Sequence, residues 1–273
     1  MSSPARERAR TPPAGERRAW RSVAVPAEHG GWSLTLEPVL LGLLVAWSPA
    51  GLSLGTAALL AFITWTPLKV VLVDRWRDRS LPRTRLAARI AAVELVVLAV
   101  LAGLAVIFAA RPVWPPLLAA APLVVVELWF DMRSRSRRLI PELAGAVGMG
   151  SVAAAIALAD GGTTRLALGL WCVLAARSAA AIPYVRTQLQ RAHGRDAAVW
   201  QSDVAQLLAL VAGGVGWALD AVPFAAVVAL GVVAVVNTVF VRLSPKRAVV
   251  LGIQQMLLGL SVVIVTAVAV LAA

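Results

Sequence analysis

Apolar runs of about 17–24 residues recur along the chain after Trp32, each long enough to carry an α-helix across roughly 30 Å of hydrocarbon. They begin near Trp32, Leu54, Leu86, Val113, Pro141, Arg165, Trp200, Val222 and Ala248, which predicts about nine spans. Turn-forming or charged clusters separate them, among them Ser48-Pro49-Ala50-Gly51, Arg111-Pro112, Asp160-Gly161-Gly162 and Ser244-Pro245-Lys246-Arg247. Most of these loops are too short for a soluble domain. The pattern therefore predicts an all-α transmembrane helix bundle over residues 26–273. A disordered basic tail is expected over residues 1–25, which are rich in Arg, Pro, Ala and Ser. No apolar stretch precedes the first span, so a cleavable signal peptide is not expected.

Composition agrees with this reading. Hydrophobic residues make up 60% of the 273 and charged residues only 15%, more apolar surface than a soluble core of that length hides. The net charge of +12 suits nucleic acid in a soluble protein, but here the basic residues fall on alternate loops. Arg6, Arg8, Arg10, Arg17, Arg18 and Arg21 precede the first span. Arg75, Arg77, Arg79, Arg83, Arg85 and Arg89 follow the second, and Arg133, Arg135, Arg137 and Arg138 the fourth. Arg186, Arg191 and Arg195 follow the sixth, and Arg242, Lys246 and Arg247 the eighth. The other side carries only Arg111 and Arg165. The positive-inside rule then puts the N-terminus in the cytoplasm of a bacterial inner membrane and the C-terminus outside. Membrane lipids are the expected partners and nucleic acid is not. Attraction of anionic headgroups, about 1 kcal/mol per basic residue, accounts for most of these arginines without any site.

Cysteine and histidine narrow the chemistry further. Cys172 is the single cysteine, which excludes a disulfide framework or a cysteine metal cluster. The two histidines, His29 and His193, lie in predicted loops, which excludes a bis-histidine haem between helices.

Charges inside spans are costly, roughly 2.5–3.5 kcal/mol each on insertion scales, and so usually face a bundle interior or an aqueous cavity. Here they are Glu37, Lys69, Glu94, Glu127, Arg177 and Asp203, all in the predicted cytoplasmic half. The adjoining loops add candidates. Asp74 and Asp78 in DRWRD are four apart, so a continuing helix puts both carboxylates on one face, where they can share a Mg²⁺ bridging to a lipid diphosphate. The neighbouring arginines can instead neutralise them as a solvated surface network. Arg133, Arg138 and Glu142 follow the fourth span, and Arg177, Tyr184, Arg186 and Arg191 lie on the sixth, whose Pro183 is expected to kink it. Their guanidinium forks suit phosphate oxygens. In PAEHGGW, Glu28 and His29 stand beside Gly30 and Gly31, which permit close backbone approach.

PAEHGGWSLTLEPVLLG resembles the opening of the YwiC-like membrane proteins, a bacterial family without an assigned activity. DRWRDRSLPR, RSRRLIPELAG and IPYVRTQLQR resemble later blocks of the same family. A more distant resemblance is to the UbiA-type intramembrane prenyltransferases, nine-helix bundles with a cytoplasm-facing site. That resemblance implies acidic, Mg²⁺-holding motifs after the second and sixth helices. Asp74 and Asp78 occupy the first place. Tyr184 to Arg191 occupies the second and contains no carboxylate, and Val70 and Val71 stand where the first motif begins with Asn-Asp. Three functions follow as alternatives. The leading one is a UbiA-like binder or transferase of isoprenoid or lipid phosphates at a cytoplasm-facing cavity. The others are an ion- or proton-coupled carrier using Glu37, Lys69, Glu94 and Arg177, and a non-catalytic membrane scaffold.

Overall fold

The computed structural model describes residues 29–79, 81–133 and 138–273, with side chains from Gly31 onward. The basic tail, Glu28, Arg135 and Arg137 lie outside the described residues. Among the described residues stand nine helices and no strand: α1 (His29–Val45), α2 (Pro49–Trp76), α3 (Pro82–Phe108), α4 (Trp114–Met132), α5 (Leu139–Ala159), α6 (Thr164–Ala192), α7 (Val199–Ala218), α8 (Phe224–Phe240) and α9 (Ala248–Leu271).

Each helix matches one apolar run. The clearest shift is at α2, which begins inside the cluster read as a separator. The Ser48 hydroxyl accepts a hydrogen bond from the Gly51 N–H at 3.0 Å, and Pro49 brings a preset φ to the first turn. Six helices, α2 to α6 and α9, are long and apolar enough to cross a membrane. Two others, α1 and α8, are apolar but only 17 residues long. The remaining one, α7, carries Gln201, Asp203 and Gln206 in its first turns. The nine expected spans are thus nine helices, six of which have the length and composition of a span.

The arrangement centres on α5, which packs against α1, α2, α4 and α6. Every residue from Gly150 to Ala159 is buried, and most are small, so neighbouring backbones approach closely on all sides. Ile156 sits against Gly42 of α1 and Gly51 and Gly55 of α2. On one side lie α2, α3 and α4; on the other, α7, α8 and α9 pack on α6 and α1. The peripheral α3 shows the opposite composition. Ala87, Ala91 and Ala105 face inward at helical spacing, while Val93, Val96, Val100, Ile107 and Phe108 are exposed, as a lipid-facing surface would be.

Side-chain contacts fasten the helix ends that carry the basic loops. Lys69 of α2 reaches Asp131 of α4 at 3.0 Å, and Trp65 Nε1 donates to the same carboxylate at 2.8 Å. Arg242, just past α8, donates twice to Asp203 of α7, at 3.0 and 2.8 Å. That carboxylate raises the guanidinium's pKa above its ordinary value.

Candidate functional site

At the basic end, the two carboxylates of DRWRD separate. Asp74 is buried and accepts hydrogen bonds from the Thr84 hydroxyl at 2.5 Å and from Arg83 Nη2 at 3.2 Å, which closes the turn between α2 and α3. Asp78 stands in that turn with a φ of 51°, in the left-handed region. With Val71, Arg75, Arg79, Thr84, Arg85 and Ala88 it lines a half-open cleft of about 300 Å³. Mg²⁺ demands a near-octahedral shell of oxygens. Both Asp74 oxygens are occupied, the cleft brings guanidinium groups to Asp78, and no cluster of three metal-ligating side chains exists among the described residues. As arranged, these residues do not fit Mg²⁺; the cleft's donors suit an anion.

The other predicted candidates join helices at separate points. Arg186 of α6 pairs with Glu142 of α5 at 2.9 Å. Arg191 donates to the carbonyls of Val241 and Leu243 beyond α8. The buried Tyr184 hydroxyl accepts from Gln254 Nε2 at 3.2 Å, and Gln254 Oε1 accepts from Lys246 Nζ at 3.1 Å. Arg133 lies 4.1 Å over the Trp129 ring, and Arg138 is the residue from which α5 starts. His29 opens α1, with its side chain outside the described residues.

A second polar assembly occupies the bundle interior. Arg177 of α6 and Glu37 of α1 are 1% and 2% exposed, with Nη2 and Oε1 3.7 Å apart. The same Nη2 donates to the Gln255 carbonyl of α9 at 2.5 Å. One turn further along α9, Gly259 lies against the Glu37 carboxylate. Amides extend the assembly. Gln255 Nε2 donates to Asn237 Oδ1 of α8 at 2.9 Å, and Asn237 Nδ2 to Gln206 Oε1 of α7 at 3.4 Å. Gln206 Nε2 then returns to the Ala180 carbonyl of α6 at 2.9 Å. Five helices thus meet through one polar chain. Arg177 Nε and Nη1 and Glu37 Oε1 have no hydrogen-bond partner, and each unmade buried bond costs about 1–3 kcal/mol.

The sequence offered Glu37 and Arg177 as intramembrane charges. Gln206, Asn237 and Gln255 carry no charge and do not stand out among the intramembrane charges. Their signal was available, since an amide in an otherwise apolar span also needs a buried partner.

These features define a polytopic helical membrane protein with an ion pair buried between its helices and an arginine-lined cleft at its basic end. Residues 25–157 match the family described as YwiC-like protein. That segment holds PAEHGGW, DRWRDRSLPR and RSRRLIPELAG, and with them Glu37; IPYVRTQLQR, Arg177 and the three amides lie beyond it. No curated protein and no solved structure matches the chain.

Proposed function

We propose that this protein binds the phosphate group of a membrane-resident lipid, an isoprenoid phosphate or a phospholipid, in the cleft at the α2–α3 turn. The observation that carries this reading is the meeting of Arg75, Arg79 and Arg85 beside apolar Val71 and Ala88 in one half-open cleft. Guanidinium groups form short, charge-assisted bonds to phosphate oxygens, and the apolar wall gives the lipid chain a route along α2 and α3. The reading takes the basic end as cytoplasmic, from the positive-inside bias. It assigns no prenyl transfer, because Asp74 serves as a strut of the turn.

The test uses the full chain in nanodiscs and a short-chain isoprenyl phosphate as probe. Arg75→Ala with Arg79→Ala and Arg85→Ala is expected to weaken binding at least about tenfold, roughly 1.4 kcal/mol, with thermal unfolding unchanged because all three side chains are exposed. A chelator of divalent cations is expected to leave binding intact. A triple variant that binds like the parent sinks the proposal.

The buried Glu37–Arg177 pair favours a second reading, a carrier for a small solute, since intramembrane ionisable groups mark solute and proton paths. Reconstituted vesicles that take up no solute beyond the level of a Glu37→Gln variant would count against it.

A further inference from the structure

The interior pair presents more donors than its surroundings satisfy. Arg177 commits Nη2 to the Gln255 carbonyl, while Nε and Nη1 stay without an acceptor inside a bundle from which solvent is excluded. Glu37 balances the charge from 3.7 Å yet leaves Oε1 without a hydrogen bond. A cation so arranged draws in a group carrying acceptor oxygens. Gly259 packs closely on the carboxylate and bounds the site on the α9 side.

Charge then dictates what accompanies it. With Glu37 ionised, the pair is neutral; an arriving anion would leave a net negative charge in a low-dielectric interior, where like charges repel strongly. No third charge is at hand to absorb it. Besides Cys172 and Tyr184 of α6, the described ionisable groups on the elements packed against α1 and α6 are few. Lys69, Asp74 and Arg75 of α2, Glu142 of α5 and Asp203 of α7 stand toward the basic end, and there Arg186 and Arg191 of α6 also lie. Arg165 is at the opposite end of α6, and α8 and α9 have no charged residue. Protonation of Glu37 is the one change that keeps the site neutral.

We propose that Arg177 is the centre of an interior binding site for a small monovalent oxyanion, and that Glu37 takes up one proton for each anion bound. The anion's oxygens accept from Arg177 Nε and Nη1. The proton arrives from bulk water on the Glu37 carboxylate and leaves with the anion on release, so no covalent bond other than that O–H forms or breaks. The inference sharpens the carrier reading but needs only binding. Binding without vesicle uptake would sink that reading alone, and absence of binding sinks the inference. It is independent of the lipid cleft.

Calorimetry on the full chain in nanodiscs of neutral phosphatidylcholine tests it, with formate and inorganic phosphate as probes in buffers of different ionisation enthalpy. Formate binding points to a carboxylate ligand, and binding of phosphate alone to an inorganic one. Between about pH 5 and 6, where formate and phosphate are both monoanions, either is expected to bind with uptake of one proton, weakening about tenfold per pH unit as pH rises. Glu37→Gln is expected to bind with no proton uptake and a flat pH profile, and Arg177→Gln to lose binding. Where Arg177→Gln fails to fold, Arg177→Gln with Glu37→Gln leaves no uncompensated buried charge and is expected to fold without binding. No binding of either probe by the parent, binding without proton uptake, or proton uptake that survives Glu37→Gln overturns the proposal.

Discussion

At Gly259 the absence of a side chain lets α9 lie against the Glu37 carboxylate, and an added methyl enters the space that carboxylate occupies. Elsewhere a carboxylate at the end of a flexible side chain would swing aside. Here it is held between α1, α6 and α9 and bears the charge that balances Arg177. Gly259→Ala is therefore expected to lower stability by about 1–3 kcal/mol, read as earlier thermal unfolding of the detergent-solubilised protein. At this scale the sequence showed which charges were out of place and left open what Asp74 does. Its four-residue spacing to Asp78 implied a shared face, but Thr84, across the turn, claims the Asp74 carboxylate, and Asp78 leaves the helix altogether. Spacing fixes a face only while the helix continues, and α2 ends at Trp76.

Among the elements, α5 depends most on residue size. Ala153, Ala154 and Ala155 are fully buried, so no rotamer of a larger side chain can escape to lipid. Ala154→Leu is expected to cost about 1–3 kcal/mol through overpacking, whereas Val96→Leu on the exposed face of α3 is expected to change unfolding little; thermal unfolding of the two variants side by side gives the measure. Hydrophobic run length located all nine helices. It could not tell α5 from α3, since both read as apolar. What separates them is the small-residue content of α5, which permits contact on every side.

For the whole molecule, sidedness is the property most open to direct test. With Cys172→Ser as background, a cysteine at Arg111 between α3 and α4 is expected to react with a membrane-impermeant maleimide in intact cells. A cysteine at Ser244 between α8 and α9 is expected to react only after lysis, as the positive-inside bias predicts for the basic loops. Both positions are exposed; the reverse pattern would invert the orientation and with it the face on which the lipid cleft opens. The sequence by itself determined the helix count, the apolar exterior and the end at which positive charge collects, because each depends on local composition and on the thickness of a bilayer. Tertiary structure alone decided that Glu37 meets Arg177 while Gln206, Asn237 and Gln255 close a chain beside them. Periodicity says which face of a helix is polar, whereas the order of helices around α5 follows from how their small-residue surfaces fit together, and that order brings distant polar residues within bonding reach.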